Sequence, residues 1–194
     1  MKTHSHCSFA RAFTLIELLV VITLIGLLTS LAFSAYRGAV LRTRNLVALA
    51  AVKNVTLSVQ NYVADYNRMP VRSSVDEEVE LSAGSPLLKV LMGENVDRLN
   101  PKGTRFLPDQ PMGRNGAGGL VGTDGQWALV DSWGTPYRVA VDADWDQRVS
   151  NPDVRNEDPS MAGTASSWLP LLAISYSAGA DKKFGTRDDV VSWR

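Results

Sequence analysis

Acidic side chains are the residues of this chain whose types and spacing could do chemistry. Histidine and cysteine, which serve most nucleophilic and zinc sites, occur only near its start, at His4, His6 and Cys7. The rest of the chain therefore has no disulfide, no Ser-His or Cys-His pair and no imidazole-rich zinc site. What remains is carboxylate chemistry: binding a hard cation, forming an ion pair or transferring a proton.

Three carboxylates lie close together near the C-terminus, in the segment SAGADKKFGTRDD. They are Asp181, Asp188 and Asp189. The segment contains glycine and follows a predicted strand, so that backbone carbonyls could join the carboxylates around Ca²⁺. The residue types leave a second interpretation open, which is a β-turn capped by Asp side chains.

A second acidic group lies earlier in the chain, where Asp142, Asp144 and Asp146 alternate as in an ion-binding loop. They lack the Gly and the distal Glu of an EF-hand, so a solvated loop is the preferred interpretation. Asp131 with Asp142 or Asp144 could also form the carboxylate pair of a glycoside hydrolase. No aromatic-lined cleft can be inferred, and a membrane-anchored enzyme or binding domain is therefore the less favoured alternative.

One acidic residue, Glu17, lies inside an almost wholly apolar stretch. The stretch is 13–36, FTLIELLVVITLIGLLTSLAFSAY. As a helix it would be about 36 Å long, and the hydrocarbon core of a bilayer is about 30 Å thick, so a membrane span is predicted. A carboxylate in that environment costs about 3 kcal/mol, so Glu17 is expected to have a partner.

A small residue, Ala12, stands directly before this stretch, whereas an ordinary secretory signal is cleaved after its apolar region. The segment AFTLIELLVV resembles the class III signal of type IV pilins and of the pseudopilins of type II secretion systems. The resemblance implies that a prepilin peptidase cuts between Ala12 and Phe13 and methylates the new amine. It also implies that Glu17 pairs with that amine on a neighbouring subunit. Ala12 and Ser34 stand where the family usually has Gly and Pro.

The elements that follow predict an α+β fold. An apolar stripe at helical spacing extends the helix from Phe13 to about Tyr66, where Asn67 and Pro70 end it; the stripe consists of Val52, Val55, Val59, Tyr62 and Tyr66. Strands are predicted at 126–130, 137–141 and 171–176, as an antiparallel meander that covers the helix. A short helix is predicted at 85–92, a solvated acidic loop at 76–80, a long surface loop at 108–125 and an extended excursion at 142–163.

Two segments of the C-terminal half are similar to one branch of this family. The segments DSWGTPYRV and ISYSAGADKKFGTRDDV, in this order, are similar to the C-terminal domain of the major pseudopilins of type II secretion systems. That similarity implies a calcium ion held by Asp181 and by Asp188 or Asp189. Lys182 and Lys183 stand where the family commonly has a Gly.

The sequence thus predicts a structural subunit rather than an enzyme. Its parts are a leader at 1–12, a transmembrane and filament-core helix at 13–36, and a periplasmic head at 37–194. The resemblance implies a single-pass inner-membrane protein that joins a helical filament of like chains and other pseudopilins. Its implied partners are the prepilin peptidase and an inner-membrane assembly platform with its ATPase. Nucleic acid is not expected, because 20 basic side chains match 20 acidic ones. A type IV pilin or minor pilin for adhesion or DNA uptake is the alternative.

Overall fold

The computed structural model describes residues 14–113 and 118–194, apart from the side chains of residues 31, 32, 34 and 35. Ala12 and Phe13, the predicted processing site, lie outside the described residues. The chain divides into two compact units, residues 1–42 and 43–194.

The first element is a long helix, α1, Leu15–Tyr66. It confirms the predicted helix, whose sequence has no proline and two glycines, Gly26 and Gly38. The helix ends at Asn67, which has a φ of 51° and donates its N–H to the carbonyl of Val63 at 2.8 Å. Asn tolerates this left-handed conformation, a common way to end a helix. A membrane span was predicted at 13–36; among the described residues, no helix is both long and apolar enough to cross a membrane.

Eight strands and two short α-helices follow α1 in the described residues. Their bounds in chain order are β1 Glu77–Glu80, α2 Pro86–Leu91, β2 Gly119–Thr123, β3 Gln126–Val130, β4 Arg138–Val141, β5 Val149–Ser150, α3 Pro159–Ala162, β6 Trp168–Leu169, β7 Ala173–Ser177 and β8 Val190–Val191. The main sheet has four antiparallel strands in the order β1-β4-β7-β8, while β2 pairs with β3 in a hairpin and β5 with β6 in a two-stranded ribbon. These elements confirm the predicted α+β fold class, including the short helix expected at 85–92.

The core forms between the second half of α1 and the main sheet. The predicted apolar stripe is confirmed: four of its members are fully buried, and Tyr66 packs against them partly buried. They join Val139 and Val141 of β4 and Ala173 of β7 in one cluster. The contact is also polar, since the buried hydroxyl of Ser175 donates to the carbonyl of Val52. Burial of this face accounts for most of the stability of the helix here, since propensity alone contributes little.

The hairpin of β2 and β3 corrects the surface loop predicted for 108–125. Its turn is Asp124-Gly125, with φ values of 52° and 76°, which is the dipeptide that a tight two-residue hairpin requires. Because β3 pairs with β2, the predicted meander is also wrong in part. Between β3 and β4 the structure has only a bridge at Val130 and Pro136 and a hydrogen bond from the N–H of Tyr137 to the carbonyl of Leu129.

The acidic segment 76–80, predicted as a solvated loop, instead contains β1 at the edge of the main sheet. Arg138 on the neighbouring strand lies 3.1 Å from Glu78 and 3.6 Å from Glu80. Opposite charges across a strand pair are stabilising, so this guanidinium reduces the repulsion among the acidic side chains of β1, which stay exposed.

The excursion at 142–163 anchors the end of the chain. It contains a buried carboxylate, Asp153, which accepts hydrogen bonds from the indole N–H of Trp193 at 3.0 Å and from the guanidinium of Arg194 at 2.8 Å. The indole ring of Trp193 also packs edge-on against Tyr176 of β7. These contacts attach Trp193 and Arg194 to the rest of the fold without a disulfide.

Candidate functional site

The start of α1 is closed by a reciprocal hydrogen-bond pair between Thr14 and Glu17. One oxygen of Glu17 accepts from the backbone N–H of Thr14 at 3.0 Å and from its hydroxyl at 2.9 Å. The N–H of Glu17 in turn donates to the Thr14 hydroxyl oxygen at 3.2 Å. This is a capping box, which satisfies N–H groups that the first turn of a helix leaves unpaired. Glu17 therefore has a local structural role in the single chain.

The residues that follow Glu17 expose a continuous apolar surface. Their large side chains are between 44% and 63% exposed. They are Leu18, Leu19, Val20, Val21, Ile22, Leu24, Ile25, Leu27 and Leu28. A helix that is apolar around its whole circumference is normally covered by lipid or by other protein, so this surface is a candidate interaction site.

The second candidate site is the C-terminal loop with its three carboxylates. Asp188 accepts from the backbone N–H groups of Ala180 at 2.6 Å and Asp181 at 3.0 Å, and from the hydroxyl of Thr186 at 2.7 Å. Burial opposes ionisation, but these donors outweigh it and hold the pKa of Asp188 below its ordinary value. The Asp188 carboxylate thus organises the loop from within.

The other two carboxylates also accept backbone N–H groups of their own loop. Asp189 accepts from Gly185 at 2.7 Å and Asp181 accepts from Lys183 at 2.8 Å. In the part of the chain that the structure describes, the one group of three acidic residues with metal-site spacing lies elsewhere. The geometry of this loop is that of the capped turn that the sequence left open, and calcium binding here stays a prediction.

Among the three carboxylates of the loop, Asp189 is the one whose ionised form is disfavoured. Burial raises its pKa to about 6, and the nearby charges of Asp188 and Asp181 add to the effect. The N–H of Gly185 opposes this rise by stabilising the ionised form. Asp189 is thus a carboxylate whose charge the fold accommodates poorly at neutral pH.

Replacing Asp189 with Asn is expected to reduce the pH dependence of stability between the ordinary pKa of 3.8 and about 6. In that window the folded protein binds more protons than the unfolded chain, so the free energy of unfolding falls as pH rises. Asn cannot ionise and keeps an oxygen for Gly185. It should therefore raise stability at neutral pH by about 1–2 kcal/mol, after allowance for solvent screening.

Urea unfolding of both proteins in EDTA, at about pH 4 and about pH 7, measures this effect. An equal fall in stability in the wild type and in D189N would contradict it.

A comparison with known protein families identifies a sequence motif in the N-terminal segment. Residues 7–33 match a family model described as the prokaryotic N-terminal methylation motif. The chain carries the N-terminal signature of type IV pilin-like proteins. The match includes Ala12, Phe13 and Glu17. No curated protein and no solved structure matches the chain significantly.

The carboxylate considered for catalysis at Asp131 is a structural group. It is fully buried and accepts from the N–H groups of Trp133 and Thr135, both at 2.9 Å, and from the hydroxyl of Ser177 at 2.6 Å. Ser177 ends β7, so Asp131 ties the turn before β4 to the strand that leads into the C-terminal loop. With three donors, Asp131 lacks the freedom that a proton-transfer group needs.

A third carboxylate group was missed by sequence reasoning. Asp76, Asp142 and Asp144 each offer an oxygen within 4.8 Å of the others. The predicted solvated loop is therefore wrong at Asp142, which is fully buried. Burial raises the pKa of Asp142 and of Asp76, and the charge of Asp144 raises that of Asp76 further. The alternation of acidic residues from Asp142 was a visible signal, but nothing in the sequence indicated that Asp76 would join them.

Proposed function

We propose that this chain is a structural subunit of a type II secretion pseudopilus. The observation that carries the proposal is the exposed apolar surface of α1, which lies in a segment that matches the N-terminal methylation motif. Apolar side chains in such number favour burial against lipid or protein by about 25 cal/mol for each Å² removed from water. A filament core of packed helices supplies that burial.

The proposed life cycle begins in the bacterial inner membrane. The chain is a single-pass protein there, with residues 13–36 in the bilayer and the head in the periplasm. A prepilin peptidase removes residues 1–12 and methylates the amine of Phe13. The mature subunits then pack side by side, with their apolar helices inside and their heads outside, in a helical contact that does not close.

In this filament Glu17 pairs with the methylated amine of an adjacent subunit. An amine and a carboxylate that are removed from water together lose less free energy than either would alone. Other pseudopilins share the filament, and an inner-membrane assembly platform supplies force from its ATPase. The chain itself needs no catalytic residue for this role.

Two features support the secretion branch over a pilus. The two tail segments that resemble major pseudopilins are joined in the fold, because Ser177 from one donates to Asp131 in the other at 2.6 Å. Many type IV pilins staple the C-terminal region with a disulfide, and this chain has its single cysteine at position 7. The second candidate, a type IV pilin or minor pilin for adhesion or DNA uptake, is favoured by the N-terminal motif equally.

The intact mass and the N-terminal peptide of the protein from membranes of its own host test the processing step. A mature chain that starts at methylated Phe13 is expected. A chain that still starts at Met1, in a host with an active prepilin peptidase, would contradict processing and with it the filament.

Deletion of the gene separates the two filament systems. Loss of protein export from the periplasm, restored by the wild-type gene, is the expected result for a pseudopilus. Normal export with a loss of adhesion or DNA uptake would support the pilin alternative. A hydrolase assay on the purified chain addresses the enzyme alternative.

Calcium binding in the C-terminal loop is part of the proposal through the resemblance of the tail. Asp181→Ala is expected to lower the melting temperature in calcium towards the value that the wild type has in chelator, because one carboxylate ligand is lost. Thermal unfolding with calcium and with EDTA measures both values. An unchanged wild-type melting temperature in the two conditions would contradict an ion in this loop.

A further inference from the structure

The buried carboxylate of Asp142 is paired with no cationic side chain among the described residues. Its Oδ2 accepts from the N–H of Gln147 at 2.9 Å. Within the described part of the chain, its Oδ1 is buried without a hydrogen-bond partner, and none of the ion pairs there involves Asp142. Aspartate is rarely fully buried unless it is paired or bound to a metal, because an uncompensated buried charge is costly.

Two more carboxylates converge on the same point from different parts of the chain. Asp76 precedes β1, and its Oδ1 accepts from the N–H of Ala143 at 3.2 Å. Asp144 lies in the loop after β4, and its Oδ1 accepts from the N–H of Asp146 at 3.1 Å. One oxygen from each of Asp76, Asp142 and Asp144 lies within 4.8 Å of the others. Three carboxylates at this spacing repel one another unless a cation lies between them.

We propose that Asp76, Asp142 and Asp144 bind a hard divalent cation of the calcium class. The unpartnered Oδ1 of Asp142 is the central ligand, and Asp76 and Asp144 contribute one oxygen each. Ca²⁺ accepts six to eight oxygen ligands in irregular arrangements, so water completes the shell on the exposed side of Asp144. Mg²⁺ requires a nearly ideal octahedron and suits such a site less well.

The ion would join two segments that the sequence separates widely. Glu77, which follows Asp76, pairs with Val141, which precedes Asp142, at the first position of the β1 and β4 ladder. A cation held by the flanking aspartates therefore clamps the edge strand β1 to β4 at one end. This site is separate from the C-terminal loop and does not depend on filament assembly.

Calorimetric titration of the purified, chelator-treated full chain with CaCl₂ tests the site. D142N and D144N are the test variants, since each removes one anionic ligand at nearly constant volume. D146N is the matched control, because it removes a neighbouring charge from the same loop but not from the group of three. We expect one fewer ion per chain, or an affinity at least about tenfold weaker, in both test variants and wild-type binding in D146N.

Stability in EDTA separates loss of the ligand from loss of the fold. D142N removes an uncompensated buried charge, so its melting temperature in EDTA should equal or exceed that of the wild type, while its rise on addition of calcium should be smaller. Terbium luminescence then locates the ion. Trp145, between Asp144 and Asp146, is 45% exposed and should sensitise bound Tb³⁺, so W145F should lose most of the emission that D142N loses.

Three results would overturn the proposal. They are a wild-type chain that binds no Ca²⁺, test variants that bind as the wild type does, and calcium binding that D181A abolishes but D142N leaves intact. The last result would assign the ion to the C-terminal loop alone.

Discussion

Glu17→Ala is expected to give a membrane-inserted, correctly cleaved protein that does not assemble into filaments. Removing one member of a desolvated ion pair costs about 3–5 kcal/mol, which at each subunit contact is a loss of more than about a hundredfold in association. The variant also loses the hydrogen bonds to Thr14 that close the first turn of α1, at a further cost of about 1 kcal/mol. Electron microscopy of filaments, together with the N-terminal peptide mass, measures assembly and cleavage separately.

Two matched variants distinguish the local role of Glu17 from its role between subunits. Glu17→Gln keeps a side chain that can close the capping box but removes the charge. Thr14→Ala keeps the charge but removes the hydroxyl that donates to Glu17 at 2.9 Å. Pairing with a neighbouring amine requires E17Q to fail as E17A does and T14A to assemble. Normal filaments in E17Q would refute the pairing and leave helix capping as the function of the residue.

Asp131→Ala is expected to cause the largest loss of stability in the head. The change leaves three buried or half-buried donors without an acceptor: the N–H groups of Trp133 and Thr135 and the hydroxyl of Ser177. We expect a cost of about 3–5 kcal/mol in the free energy of unfolding. At about 2–4 °C per kcal/mol for a unit of this size, the melting temperature of the full chain should fall by about 10 °C.

Two control variants test this prediction: one removes the charge of Asp131 but keeps an acceptor, and the other removes an exposed carboxylate elsewhere. Asp131→Asn keeps an oxygen for the two N–H groups, so it should lose less than half as much stability as D131A. Asp109→Ala removes a carboxylate whose side chain is 89% exposed and whose ion pair is with Arg105. Exposed pairs contribute little, and D109A should stay within about 0.5 kcal/mol of the wild type. A melting temperature of D131A equal to that of D109A would contradict the structural role of Asp131.

The parts of the fold that could be predicted are those with a strong local pattern. The apolar stripe from Val52 to Tyr66 predicted α1 and its buried face, because helical periodicity repeats over many turns. The strands β3, β4 and β7 were located by their runs of apolar and β-branched residues. For β2 the two glycines in its five residues, Gly119 and Gly122, weakened the strand pattern, although Asp124-Gly125 was a clear hairpin signal. The predicted pairing of β4 with β7 is confirmed, but that of β3 with β4 was wrong. Pairing depends on which segments of the chain come to lie side by side, and composition does not encode that.

For the carboxylate sites too, features set by neighbouring residues were predictable and features set by tertiary contacts were not. The methylation motif was predictable because its residues are contiguous, and a family model matches them at 7–33. The group around Asp142 was not, because Asp76 reaches it only through the pairing of β1 with β4. Burial decides what a carboxylate can do, and the sequence alone could not tell that Asp142 is buried while Asp144 remains exposed. Asp131 was considered for catalysis for the same reason, since its three donors come from a turn and from a distant strand.

The two edges of the main sheet have a consequence for crowded subunits. One edge is β1, whose sequence is EEVE, and the other is β8, which has only two residues. An acidic edge repels its own copy, and a very short edge offers too few unpaired N–H and C=O groups to template another strand. Heads brought to high local concentration along a fibre would therefore resist sheet-to-sheet fusion of the amyloid kind. Contacts in the proposed filament would then be left to the N-terminal helices and their Glu17 pairing rather than to strand exchange between heads.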